Sequence, residues 1–122
     1  SAASDVYKRQ LIDSTNLKER FDEEIFGPIL QVHFVGSFSE AIDEANNTKF
    51  GLAASLISDS RSLFDEFHSS INSGLVNFNA TTTGASGALP FGGVGKSGNY
   101  RPAGFYAADF CAWPKSSVLK KL

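Results

Sequence analysis

The chain is 122 residues long, with 11 Lys and Arg against 13 Asp and Glu and a formal charge of −2 spread in mixed sign along its length. That balance leaves no basic face for nucleic acid, and no apolar run approaches the roughly 18 residues of a membrane helix or the core of a signal peptide. A length below the usual domain size of roughly 150 residues sets one folding unit as the ceiling, and the single cysteine, Cys111, cannot close an internal disulfide and suits a reducing cytoplasm. A start at Ser1 with no Met anywhere is what a fragment of a longer protein is expected to show, with residues 1–10 expected to be an unmatched leader of foreign origin.

Residues 30–35 are an apolar-rich run between Pro28 and Gly36, which predicts a strand. Ser37 stands three residues before Glu40, the capping-box spacing. Phe38, Ala41, Ile42 and Ala45 then recur at helical period, so a helix reaches about Asn46. Asn46-Asn47-Thr48 and Gly51 punctuate the chain before a second strand over 52–57. Asp59 or Ser60 caps a further helix with Leu63, Phe64, Phe67 and Ile71 on one face and Arg61, Asp65 and Glu66 on the other. After Asn72-Ser73-Gly74 comes a third strand over 75–78.

Strand, helix, strand, helix, strand is the alternation of an α/β layer with parallel crossovers. Parallel strands need cover on both faces, and two helices with three strands cannot supply it, which again suits missing upstream chain. From Asn79 to Gly98 the sequence is nearly all Thr, Gly, Ala and Ser around Pro90-Phe91, a long loop of the kind that is usually functional or disordered. Residues 105–113 turn aromatic and apolar again and predict a strand stopped by Pro114.

Two motifs invite a phosphate reading. Gly93-Val94-Gly95-Lys96-Ser97-Gly98 fits G-x-G-x-x-G and the end of a P-loop. The P-loop needs glycine where Pro90 stands, and proline offers no N–H to a phosphate. The dinucleotide fingerprint must open a helix, whereas Asn99, Arg101 and Pro102 follow, and Pro102 disfavours helix at Arg101. His33 and His68 have no metal-ligand spacing to another His or Cys, so both are read as structural, and no metal is expected.

Glu23-Glu24-Ile25-Phe26-Gly27-Pro28, followed at this spacing by Pro90-Phe91-Gly92-Gly93 and Ser97-Gly98, resembles the C-terminal part of the aldehyde dehydrogenase superfamily over residues 11–122. Asn77-Phe78-Asn79, Thr83-Gly84-Ala85-Ser86, Asn99-Tyr100-Arg101-Pro102 and 106–114 narrow the resemblance to the group that oxidises N-succinylglutamate 5-semialdehyde in bacterial arginine breakdown. The fold so implied is α/β: a partial three-layer parallel-sheet catalytic domain over 11–104, with an oligomerisation strand and tail over 105–122.

The resemblance also assigns roles. Glu24 is expected to accept hydrogen bonds from the nicotinamide-ribose hydroxyls of NAD, with NADP open, and Phe26 to pack on that ribose. Phe91 is expected to wall the aldehyde pocket, and Thr83, Gly84, Ala85 and Ser86 to hold the acidic end of a small aldehyde. Read without the resemblance, Asp22-Glu23-Glu24 is a solvated acidic cluster, Phe91 a plug beneath a glycine turn, and 83–86 a surface loop.

The family's cysteine thiolate, which attacks the aldehyde, and its general-base glutamate both precede the Glu24 motif, so neither lies in this chain. Cys111 is then a buried structural thiol. The implied whole is a cytoplasmic homo-oligomer. The alternatives are a sister dehydrogenase for glutamate semialdehyde or another acidic aldehyde, and a non-catalytic α/β assembly module.

Overall fold

The computed structural model describes residues 9–18, 22–84 and 86–121, so residues 1–8 of the leader and Ala85 lie outside the described residues. The chain divides into two compact units, Ser1–Asn47 and Thr48–Leu122.

In the first unit, β1 (Gln10–Asp13) pairs in parallel with β2 (Ile29–Val32), Gln10 opposite Ile29 and Asp13 opposite Val32. The pairing continues past the strand ends through side chains. Ser14, only 2% exposed, donates both its N–H and its hydroxyl to the Val32 carbonyl, at 2.8 and 3.1 Å. The Thr15 hydroxyl accepts from the Phe34 N–H at 3.0 Å. Hydrogen bonds from the Thr15 side chain and backbone, helped by His33, hold the exposed Asp13 carboxyl below its ordinary value of 3.8.

Helix α1 (Phe38–Asn46) begins as the sequence predicts. The Ser37 hydroxyl accepts from the Glu40 N–H at 3.2 Å. The Glu40 carboxylate reaches back one residue further than in the standard box, to the Gly36 N–H at 2.7 Å. The predicted first strand is shifted, ending at Val32 rather than Val35, because residues 33–35 have no strand partner. Its partner β1 was not foreseen, since four residues with one polar pair give no clear period.

In the second unit, β4 (Ala53–Leu56) and β5 (Leu75–Phe78) run parallel, joined by helix α2 (Arg61–Ser70), a βαβ crossover. Ser60 caps α2 by accepting from the Leu63 N–H at 3.3 Å. Phe67 is 6% exposed, and the Phe64 ring meets Phe78 of β5 at 4.7 Å between centroids, so the predicted apolar face does pack on the strands. Buried apolar side chains are few among the described residues: Ile42 and Phe67. Leu30 at 62% and Ile57 at 74% remain exposed on or beside parallel strands, which ordinarily are covered on both faces.

The loop over 79–98 contains two short strands that the sequence did not reveal. β6 (Pro90–Phe91) pairs antiparallel with β8 (Ala103–Gly104), and β7 (Val94–Gly95) with β3 (Phe50–Gly51). Two-residue strands rich in glycine carry no propensity signal. A further correction concerns 105–113. Its centre is helix α3 (Ala107–Cys111) and not a strand. Ala107 and Ala108 favour helix, and without a neighbouring ladder an isolated strand gains nothing.

Glycine is demanded where backbones touch. A β-carbon on Gly74 would overlap the Gly92 carbonyl, with the Gly92 carbonyl carbon at 2.7 Å and the Gly93 α-carbon at 3.0 Å. Gly74→Ala is therefore expected to destabilise the protein by about 1–3 kcal/mol, read as a lower urea midpoint. Gly87→Ala, with nothing within 4 Å of the added carbon, is expected to shift stability by less than about 0.5 kcal/mol.

Candidate functional site

Two consecutive three-residue turns shape the segment around Glu24. The Gly27 N–H donates to the Ile25 carbonyl at 3.0 Å and the Ile29 N–H to the Gly27 carbonyl at 2.8 Å, before Pro28 hands the chain to β2. This tight path presents Phe26 at 91% exposure. Glu24 is exposed as well, and its carboxylate makes no hydrogen bond or ion pair among the described residues. An uncommitted carboxylate is an acceptor for two hydroxyl donors, and a ring held in the open offers an apolar face beside them. The pair therefore fits a ribose.

In the second unit the sheet itself supplies a platform. In open parallel sheets ligands gather beyond the carboxyl ends of the strands, and the chain over 79–89 leaves from that end of β5. Its departure is fixed by side chains. Asn79 accepts from the Ser58 N–H through Oδ1 at 2.9 Å and donates from Nδ2 to the Ser58 carbonyl at 2.7 Å. The Ser55 hydroxyl donates to the Ala80 carbonyl at 2.6 Å, and the Asn77 amide to the Thr81 carbonyl at 2.7 Å.

The predicted substrate residues follow directly. Thr83 is exposed, its hydroxyl 3.0 Å from that of Thr81, and Gly84 has φ +112, which a side chain would strain. Ser86 is exposed and turns the chain back, its carbonyl accepting from the Leu89 N–H at 3.1 Å and its hydroxyl from the Ala88 N–H at 3.3 Å. Among the described residues no acceptor takes the proton of the Ser86 hydroxyl. Ala85, the fourth predicted residue, lies outside the described residues.

Phe91 stands on β6 opposite Ala103, 37% exposed. It lines a cavity of about 590 Å³ together with Gly92, Gly93, Tyr100, Arg101 and Pro102. Tyr100 and Arg101 were not singled out from the sequence as cavity residues. The left-handed backbone at Tyr100, φ +63, carries no signal in a bulky residue's identity. Asn79 was also missed as a site-shaping residue, although asparagine closing a strand just before a polar loop is, after glycine, among the residues that most readily take its φ of +50.

The glycine-rich motif at 93–98 spends three of its backbone donors inside the fold. Lys96, Ser97 and Gly98 donate their N–H groups to the carbonyls of Lys49, Val94 and Gly95, and the Ser97 hydroxyl accepts from the Gly51 N–H at 3.1 Å. No helix opens there; the segment is a staple between β7 and β3. Cys111 requires a correction, because it is exposed in the short helix α3 and not buried. His68 lies exposed on α2 with its ring 5.7 Å from Phe64, and His33 has a buried Nδ1 without a hydrogen bond. Among the described residues no group of three His, Cys, Asp or Glu stands together to hold a metal ion, and no helix is long and apolar enough to cross a membrane.

Known proteins resemble the chain throughout this region. The family model for the aldehyde dehydrogenase family matches residues 10–116. N-succinylglutamate 5-semialdehyde dehydrogenase of Sphingopyxis alaskensis is 55% identical over 108 residues, covering 88% of this chain and 22% of that protein. Among solved structures, a salicylaldehyde dehydrogenase from Pseudomonas putida G7, complexed with salicylaldehyde, superposes with a TM-score of 0.74 at 29% identity over 82% of this chain and 21% of its own. A 1-pyrroline-5-carboxylate dehydrogenase from Thermus with bound NAD does so with a TM-score of 0.64 at 40% identity over 67% and 16%. The chain thus spans about a fifth of the length of the relatives it matches. It belongs to the aldehyde dehydrogenase family.

Proposed function

We propose that the chain is the C-terminal portion of an NAD-dependent dehydrogenase that oxidises N-succinylglutamate 5-semialdehyde to N-succinylglutamate in arginine catabolism. The observation that carries this reading is 55% identity to a relative of that name over 108 residues, 88% of this chain. The geometry supports the division of labour. Glu24, exposed and without a partner among the described residues, accepts the ribose hydroxyls, and Phe26 packs on the same sugar. NAD, when bound, supplies the hydride acceptor for the oxidation. The residues that meet the adenine ribose lie outside this chain in the reading, so these contacts serve NAD and NADP alike.

The 79–89 loop, leaving the carboxyl end of β5, holds the acidic end of the aldehyde. The Ser86 and Thr83 hydroxyls supply donors there, and Phe91 with its glycine neighbours excludes water from the reacting carbon. The nucleophilic thiolate is not Cys111, which sits exposed in α3, and the chain contributes no reacting group of its own. Trp113, Val118 and Leu119, each more than nine-tenths exposed, are the contacts of the tail with a second subunit in a cytoplasmic homo-oligomer. The second reading is a sister enzyme for glutamate semialdehyde, favoured by the 40% identity to the 1-pyrroline-5-carboxylate dehydrogenase. Steady-state rates on both semialdehydes separate the two. A non-catalytic assembly module would leave the full-length protein without activity on either.

The isolated chain is expected to form no NADH from the semialdehyde, checked by absorbance with the purified fragment. In the full-length enzyme Glu24→Ala is expected to raise KM for NAD by about tenfold or more, the cost of losing hydrogen bonds to a charged acceptor, with KM for the aldehyde unchanged. The double variant Thr83→Ala with Ser86→Ala is expected to raise KM for the acidic aldehyde by about tenfold while KM for NAD stays at its wild-type value.

A further inference from the structure

We propose that Asn79 is a positioning residue for substrate acidity, acting through the backbone it clamps rather than by touching the ligand. The inference rests on the reading that residues 83–86 hold the acidic end of the aldehyde. At the end of β5 the main chain must leave the sheet, and it does so at Asn79 with φ +50. The parallel ladder has its last main-chain rung there, the Asn79 N–H donating to the Leu56 carbonyl at 2.8 Å.

Beyond that rung the side chain takes over the part of a peptide group. Its Oδ1 accepts from the Ser58 N–H at 2.9 Å and its Nδ2 donates to the Ser58 carbonyl at 2.7 Å, so both backbone groups of one residue beyond β4 are satisfied by one amide. The sheet is extended while the main chain is released from it. Glycine would allow the turn but leave Ser58 unbound; aspartate would accept from the N–H but offer the carbonyl no donor.

What the clamp fixes is direction. The next two carbonyls are held from the strands themselves, Ala80 by the Ser55 hydroxyl and Thr81 by the Asn77 amide. Thr81 then shares its hydroxyl with Thr83, through contacts of 3.2 Å to the Thr83 carbonyl and 3.0 Å to its hydroxyl. An unbroken run of side-chain bonds therefore leads from the β4–β5 pair to the first residue of the proposed carboxylate anchor. Loosening the first bond in the run disperses the anchor's orientation without altering any group that touches substrate.

The test uses the full-length enzyme with two substrates, N-succinylglutamate 5-semialdehyde and propanal, which has no carboxylate to orient. Asn79→Gly keeps the left-handed turn and removes both bonds to Ser58. It is expected to raise KM for the semialdehyde by about tenfold at unchanged kcat, with kcat and KM for propanal within about twofold of wild type. Asn79→Asp, which keeps one bond, is expected to recover part of the loss. Thermal unfolding of each variant, followed in parallel, confirms that folded enzyme is being compared. An equal loss on both substrates would mark Asn79 as merely structural, and no change in KM would overturn the proposal outright. The Thr83→Ala, Ser86→Ala double variant separates the two levels. If it raises KM for the semialdehyde and Asn79→Gly does not, the positioning role fails and the anchor stands; if the double variant has no effect, both fall.

Discussion

Two hydrogen bonds from one asparagine amide, Asn79 to the backbone of Ser58, determine where the chain of the second unit stops being sheet and becomes loop. The β4–β5 pair is short, with four residues in each strand, and its ladder alone would let the departing chain swing. Extending the pair by a side chain keeps the parallel edge rigid at the place where such sheets present ligands. The run of side-chain bonds carries that hold as far as Thr83, whose hydroxyl in the proposed function helps place the acidic end of the substrate.

The same economy of structure runs through the glycine segment. Phe91 is held because β6 is tied to β8 on one side of it and β7 to β3 on the other. Those ties require backbones to approach within contact distance at Gly74 and Gly92, and again at Gly98 and Gly93. Each tie is only two residues long, so the arrangement depends on close packing of backbone rather than on propensity. Burial elsewhere is slight, with Ile42 and Phe67 the buried apolar side chains among the described residues. That is the burial expected of a section of a larger α/β domain, in keeping with relatives of which the chain spans 22%.

What the sequence showed clearly was whatever carries a period or a cap. Ser37 with Glu40, and Asp59 or Ser60 before the Leu63, Phe64 and Phe67 face, located both longer helices, and the apolar runs at β4 and β5 gave their strands to within a residue. The paired motifs around Glu24 and Phe91 pointed to the family now matched over 10–116. The failures share a cause. The ladders at β3, β6, β7 and β8 are fixed by distant partners and by glycine contacts, which leave no local pattern. The apolar run at 105–113 looked like a strand because its composition is apolar, yet with no ladder beside it the alanines at 107 and 108 set a helical turn instead. Asn79 was visible only as part of a family motif; its clamp depends on Ser58, 21 residues earlier.

The most direct measurement is a crystal structure of the full-length enzyme with N-succinylglutamate bound. The account requires a product carboxylate within hydrogen-bond distance of the Thr83 and Ser86 hydroxyls or the backbone between them, with the Asn79 amide still on Ser58. A product whose carboxylates are all held elsewhere, with the 83–86 loop turned to solvent, would contradict it.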